Sequence, residues 1–467
     1  MENTRNQVHK LLYPESIAIV GASNNAAKMG GRLLSYLLNH SYKGTVYPVN
    51  PKEDIIQGLT AYSSVREVPE KVDLAFLIVP NQHIFSVLQE CAEKGIETVI
   101  ISSSGFSETG KDGERLQKQL IDFAREKGIR LCGPNSIGVV NTHHQLFLSF
   151  SMSMEMENVP VGAISFITQS GAVGGGLLSK AWEEGIGIGF CISSGNEADL
   201  DSSDYLDYLL NDENTKVICL FLEGISNGEK FKQVLARARD IGKPVIVYKN
   251  GRTDIGQNTV KSHTGSLAGN YQVYQALFNQ YGIISVLYLE DMFDTAKAMS
   301  VLPPPKGNRV GIISTSGGAC TILADHCVAC GLNLPDLNVT SKEKLKQVLP
   351  SFAQVKNPLD TTANIIMNPD IFKETLLVFL DDHNIDSIIL MLTTVGEPIA
   401  SQVAADIIEI FQRAEKPIIL AWSIAESLAK QGMMMLKQAQ IPLYPTAERA
   451  VRVLHQMVQF SVKESNF

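Results

Sequence analysis

"VGAISFITQSGAVGGG" (161–176) reads as a strand-length apolar run, a turn at Gln169-Ser170-Gly171-Ala172, and the start of a helix. The same order recurs along the chain. Upstream, "SIAIVGAS" (16–23), "LAFLIV" (74–79), "TVIISSSG" (98–105) and "LCGPNSIG" (131–138) fit one α/β unit ending near residue 145. Downstream, "KVICLFLEGI" (216–225) and "KPVIVYKNG" (243–251) continue the second unit. "LPPPKGN" (302–308) reads as a linker, because successive prolines cannot continue a helix. A third unit opens with "RVGIISTSGGAC" (309–320) and includes "IDSIILMLTT" (385–394) and "KPIILAW" (416–422). Strands alternating with helical stretches imply parallel sheets covered on both faces. The expected fold is α/β, with three doubly wound parallel-sheet domains at 1–145, 146–302 and 303–467.

The chain's 467 residues exceed what one core organises. Apolar residues make up 45% and charged residues 19%, the profile of a soluble globular protein. A net charge of −9 argues against a polyanion-binding surface, so no nucleic-acid partner is expected. The N-terminus carries no uninterrupted apolar segment behind a basic start, and apolar runs such as "SIILML" (387–392) are strand-length. No membrane partner is expected. Seven cysteines, an odd number, suit reduced thiols in the cytoplasm. Cys327 and Cys330 stand i, i+3 in a helical stretch with no second pair, so no metal site is expected.

Three strand-to-helix turns are built for close backbone approach to an anion: Gly21-Ala22-Ser23, Gln169-Ser170-Gly171-Ala172 and Thr315-Ser316-Gly317-Gly318. Glycine exposes backbone N–H groups, and a following helix N-terminus adds roughly half a positive charge. The first is not a full GxGxxG, and no GxxxxGK[ST] occurs, which disfavours a P-loop enzyme. The second and third turns suggest a two-sided cradle for one phosphate. "VYPVNP" (46–51) ends a strand at Asn50-Pro51, which suits a wall of a nucleotide crevice. Gly133, Pro134 and Asn135 form a rigid turn after another strand. Asp199, Asp201 and Asp204 admit a divalent-metal reading, but acids at a helix N-terminus account for them as well. His263 lies in "VKSHTGSLAG" (260–269), whose flanks read as neither firm helix nor strand. From the residues alone it is a satisfied surface histidine, a general base or a nucleophile.

These stretches together resemble the α subunit of the ADP-forming acetyl-CoA synthetases, within the nucleoside-diphosphate-forming acyl-CoA synthetase superfamily that includes succinyl-CoA synthetase. "SHTGSLAG" is the most specific; "CGPNSIGVVN", "ITQSGAVGGG", "SGNEADLD", "STSGGA" and "NPLDTT" accompany it in family order. The resemblance implies a Rossmann-like CoA-binding domain followed by two flavodoxin-like ligase domains. Gly21 and Ser23 would meet CoA phosphates, and Asn50, Pro51, Val79, Pro80 and Asn135 would contribute to that groove. His263 maps onto the family's phosphorylatable histidine. Ser170, Gly171 and Ala172 with Ser316, Gly317 and Gly318 would hold its phosphate, and Glu223 would bond the imidazole ring. Ser262, Thr264 and Ser266 would reach phosphate oxygens, and Asp360 is a weaker candidate than Glu223 for a catalytic carboxylate. Ser136 departs from the cysteine common after "GPN".

The implied substrates are coenzyme A or acyl-CoA, phosphate and a small carboxylic acid, with acetate the default. No ATP-grasp module is recognisable, so ADP or ATP with Mg2+ is expected on a separate ATP-grasp β subunit, most simply as α2β2. Two other readings compete: a CoA-sensing regulatory protein, and a plain Rossmann oxidoreductase. The retained His263 disfavours the first. Asparagine rather than an acid at the end of "VYPVNP" disfavours the second.

Overall fold

The computed structural model describes residues 2–264, 269–361 and 369–465. The chain divides into two compact units, Met1–Ser285 and Val286–Phe467.

The first unit holds two sheets. Strands β1 (Ser16–Val20) and β2 (Thr45–Val49) are followed by a small antiparallel hairpin, β3 (Ile55–Ile56) and β4 (Leu59–Thr60). Then come β5 (Leu74–Leu77), β6 (Thr98–Ile101) and β7 (Arg130–Cys132). The first sheet is wholly parallel, in the order β2-β1-β5-β6-β7. Side chains alternate along each strand: Ile17, Ile19, Leu74 and Phe76 enter one buried cluster, whereas Ala18, Val20, Ala75 and Leu77 enter another. Both faces are therefore covered, which explains why these strands read as continuous apolar runs.

The second sheet contains β8 (Gly138–Asn141), β9 (Leu146–Ser149), β10 (Ile164–Thr168), β11 (Ile188–Ser193), β12 (Val217–Leu222), β13 (Val245–Lys249) and β14 (Ile284–Ser285). Its order is β14-β13-β12-β10-β11-β8-β9, with β8 and β9 the antiparallel members. The sequence boundary expected at 145/146 falls inside the β8–β9 hairpin, which extends this second sheet. Ile167, Phe190, Leu220 and Val247 share a buried cluster with Ile17, Ile19 and Phe76. One continuous core thus joins the two sheets, and contact density makes them one unit.

The second unit carries β15 (Val310–Ser314), β16 (Leu359–Asp360), β17 (Ser387–Thr393), β18 (Ile418–Ser423) and β19 (Leu443–Tyr444). They form a parallel sheet in the order β16-β15-β17-β18-β19. Its faces again alternate, Ile388, Leu390 and Leu392 against Ile389 and Met391. Helix Leu289–Val301 precedes the proline-rich stretch and already belongs here. Arg449 grips its buried Asp294 with two 2.7 Å bonds, and Tyr444 donates to the Asp294 carbonyl at 3.0 Å. Bidentate pairs of this kind are geometrically demanding and fix the helix on helix Ala447–Ser465. The prolines end a helix without beginning a unit.

Candidate functional site

In doubly wound sheets, ligands bind outside the carboxyl ends of the strands where the strand order reverses. The first sheet reverses between β1 and β5, the second between β10 and β12, and the third between β15 and β17. Each of the three turns singled out in the sequence lies at one of these points.

At the first, Gly21 follows β1 with φ +96°, and a Cβ there would stand 2.4 Å from the Ile78 carbonyl oxygen. Only glycine fits, because an L side chain meets both backbone strain and a carbonyl. A Cβ on Gly30 would fall 2.1 Å from the Gly21 carbonyl oxygen, so helix Met29–Asn39 starts hard against the turn. Asn50 pins the turn from the next strand, its Nδ2 donating to the Ala22 carbonyl at 2.8 Å. Ser23 Oγ accepts the Asn25 N–H. Val79 and Pro80 follow β5, and Pro80 precedes the first residue of helix Asn81–Lys94. Gly21, Ser23, Asn50, Pro51, Val79 and Pro80 therefore follow the carboxyl ends of three adjacent strands, β1, β2 and β5. Asn135 sits elsewhere, exposed at the end of β7 with φ +62° and its N–H on the Ser103 carbonyl. There it adjoins the second sheet, where the Asn196 N–H bonds the Pro134 carbonyl at 2.9 Å. Ser136 is fully buried and donates to the Ser193 carbonyl at 2.6 Å, which makes it a structural seam between sheets.

At the second reversal, Ser170 occupies the cap position of helix Gly171–Glu183, and no side chain caps that helix. Its first-turn N–H groups keep the anion-binding character of a helix start. Gln169, one residue earlier, reaches the end of β12. Its Oε1 accepts the N–H of Glu223 at 2.5 Å and of Gly224 at 3.0 Å, and its Nε2 donates to the Gly224 carbonyl at 2.8 Å. Glu223 is 7% exposed and lines a cavity of about 40 Å³ with Gln169, Asn196, Glu197 and Ser226. Glu223 thus meets the Ser170-Gly171-Ala172 turn through a residue 54 positions away from it in sequence.

Two more groups at this point were not recognised in the sequence. Glu197 is held at φ +52°, and burial pushes its carboxyl up to about 7 despite hydrogen bonds from Ser202, Ser194 and Gln169. Lys249, at the end of β13, is 1% exposed. Burial pushes its ammonium down to about 8, with Glu223 opposing the shift. A buried acid inside "SGNEADLD" and a lysine closing an apolar strand were the available signals, since charges are rarely fully buried without partners.

Helix Asp254–Thr264 contains the backbone of His263, so "VKSHT" is helical where the sequence suggested an irregular segment. The side chains of Ser262, His263 and Thr264, and all of Ser266, lie outside the described residues.

At the third reversal, Ser316 caps helix Gly317–Ala329 by accepting the Ala319 N–H at 3.5 Å. Thr315 Oγ1 and Thr393 Oγ1 meet at 2.9 Å across the switch point. Beside them opens a cavity of about 480 Å³ lined by Gly317, Cys320, Thr321, Phe352, Lys356 and Asp360. Burial and the nearby Asp360 push the Cys320 thiol up to about 12, so it is no nucleophile at neutral pH.

The acids around residue 200 serve structure. Asp201 and Asp204 form a reciprocal cap on helix Ser202–Leu210 and share Lys230, at 3.0 and 2.6 Å. Asp199 is held by Arg125 and Arg130. Among the described residues no group of three or more His, Cys, Asp or Glu side chains is arranged to hold a metal ion. Among them, too, no helix is long and apolar enough to cross a membrane.

Three reversals of strand order, each with a glycine- or serine-bearing turn, define a doubly wound α/β protein of the kind that binds ligands outside the carboxyl ends of its strands. Family models match in the same places: a CoA binding domain over 15–142, a succinyl-CoA ligase-like flavodoxin domain over 161–299, and a Ligase-CoA domain over 310–465. The ADP-forming acetate–CoA ligase II α subunit of Pyrococcus furiosus is 37% identical over 451 residues, covering 96% of each chain. The dinucleotide-forming acetyl-coenzyme A synthetase 1 of Ca. Korarchaeum cryptofilum, solved with phosphate and ADP, superposes with a TM-score of 0.90. It is 33% identical and covers 98% of both chains. A 4-hydroxybutyrate–CoA ligase (ADP-forming) of Nitrosopumilus maritimus is 33% identical, with 97% of this chain matching 64% of that longer protein. The chain belongs to the family of ADP-forming acetate–CoA ligase α subunits.

Proposed function

We propose that this chain is the α subunit of an ADP-forming acyl-CoA synthetase, catalysing acyl-CoA + ADP + phosphate ⇌ acid + CoA + ATP with a separate ATP-grasp β subunit, as α2β2. The observation that carries this reading is the second switch point. There Gln169, which leads into the uncapped helix start at Ser170-Gly171-Ala172, hydrogen-bonds the backbone of the carboxylate-bearing turn at Glu223.

Under this reading residues 1–145 bind CoA, 146–302 carry the phosphorylated histidine and 303–467 form the second ligase-type part. CoA phosphates meet the backbone at Gly21 and Ser23, with Asn50, Pro51, Val79 and Pro80 as walls and Asn135 farther along. Phosphate attacks the thioester carbonyl, the C–S bond breaks, and acyl phosphate and free CoA result. His263 then attacks phosphorus, releases the carboxylate and carries the phosphoryl group to ADP, splitting one transfer into two. Neutral imidazole is nucleophilic near neutral pH. Glu223 bonds the ring, fixing its tautomer and stabilising the cation that phosphorylation creates. Ser170-Gly171-Ala172 and Ser316-Gly317-Gly318 supply N–H groups to the phosphate.

Acetate is the default acid. A cavity of about 480 Å³ beside Gly317 has room for a larger one, and a relative named for 4-hydroxybutyrate supports widening the choice. The test is ATP formation by this chain plus an ATP-grasp β subunit, supplied with ADP, phosphate and a panel of acyl-CoAs. ATP should appear with at least one short acyl-CoA and stop when the β subunit is omitted. CoA binding without turnover of any acyl-CoA would favour a regulatory CoA-binding protein.

A further inference from the structure

Lys249 is a lysine with almost no access to solvent, and its surroundings account for all three of its protons. Nζ donates to the Glu223 carbonyl at 2.8 Å and to the Asn250 carbonyl, and stands 4.8 Å from the centre of the Tyr274 ring. Tyr274 in turn accepts the Ile225 N–H on its hydroxyl at 3.2 Å, bracing the same turn from helix Tyr271–Gln280. The N–H of Asn250 bonds the Leu222 carbonyl at 2.8 Å. The backbone of Glu223 is thereby gripped on both sides, its N–H by Gln169 and its carbonyl by Lys249. Beyond Asn250 the chain turns at Gly251, with φ +73°, and enters the helix that contains His263.

We infer that Lys249 is a positioning residue for phosphoryl transfer: its ammonium, donating to the Glu223 carbonyl, clamps the Glu223 turn to the strand leading toward His263, and its charge favours the ionised form of the nearby Glu223 carboxylate. This rests on the function proposed above. An apolar side chain of similar length would fill the same space, so packing alone does not call for lysine. A buried cation costs several kcal/mol unless compensated, and here two carbonyls and an aromatic face meet it, with the Glu223 charge near enough to oppose loss of its proton. The ionisable groups around it are Glu223 from β12, Tyr274 from helix Tyr271–Gln280 and, through Tyr274, Glu197. With its ammonium held near 8, the clamp is complete at neutral pH and weakens above that value.

The experiment measures, by rapid quench, the rate at which the αβ complex with Mg-ATP places acid-labile phosphate on this chain. Wild type should show an alkaline fall centred near pH 8. Lys249→Met should be slowed by about 30-fold or more, the loss expected when the charged hydrogen bond that fixes the Glu223 turn is removed. The variant's alkaline fall should be absent and its KM for acyl-CoA unchanged, because CoA is bound in the first sheet. A wild-type rate in Lys249→Met, or the same alkaline fall in it, would overturn the inference. Should that variant not fold, a wild-type rate that stays flat from about pH 7 to about pH 9.5 overturns it instead. If wild type takes no phosphate at all, the functional reading falls and this inference with it. Labelled wild type with an unaffected Lys249→Met sinks the inference alone.

Discussion

Glu197 shows how a single side chain sets a pH dependence. Its folded carboxyl sits near 7, above the usual carboxylate range, because burial disfavours the charge. A raised folded value means the native state binds the proton more tightly than the unfolded chain. This stabilising term is complete below the unfolded value of about 4.3 and is lost as pH rises through 7. Glu197→Gln should remove that slope and stabilise the first unit by about 3 kcal/mol at pH 8, relative to wild type. Urea unfolding at pH 5 and pH 8 checks this, and equal slopes for the two proteins would refute it. Glu223 makes a kinetic prediction. Glu223→Gln should slow phosphorylation about 10²-fold while leaving CoA affinity intact, the cost of losing a charge-assisted bond to a developing cation. Stopped-time labelling and CoA titration separate the two effects. His263 and the glycine turns were legible as residues because motif and composition mark them. Lys249 was not, and Gln169 was marked only as part of its turn, since the roles of both consist of bonds to backbone atoms distant in sequence.

At the scale of elements, long apolar runs announced themselves and short ones did not. β10, β12 and β17 are buried on both faces and read directly as strands. β14, β16 and β19 have two residues each and owe their pairing to neighbours rather than to local propensity. The β8–β9 hairpin follows "GPNSIG" and joins the sheet after it, a partnership that no local pattern encodes. The helical assignment of "VKSHT" also came from context, because the sequence there is polar and weakly periodic. The first turn tests how strictly an element depends on one glycine. Gly21→Ala should destabilise the first unit by about 1–3 kcal/mol, combining positive-φ strain with the close Ile78 carbonyl. It should also weaken CoA binding at least about tenfold, since the backbone N–H groups would turn away from the phosphates. Calorimetric titration with CoA and a thermal melt measure both. Unaltered affinity would place CoA elsewhere.

For the whole molecule, one device is repeated three times: a parallel sheet, a reversal of strand order, and a glycine- or serine-bearing turn at that reversal. The three larger sheets were readable from the repeat of strand, turn and helix. The grouping was not, because the first two sheets share a core and helix Leu289–Val301 binds to the far end of the chain through Asp291 and Asp294. Such partnerships depend on which apolar faces meet, and linear patterning is silent on that. The family assignment leaves phosphate on a histidine as the central claim of the functional reading. The measurement is the intact mass of this chain after incubation with the β subunit and Mg-ATP, wild type beside His263→Ala. Wild type should gain one acid-labile phosphate of about 80 Da, lost on adding ADP, and His263→Ala should gain none. An equal gain in the variant would contradict the account.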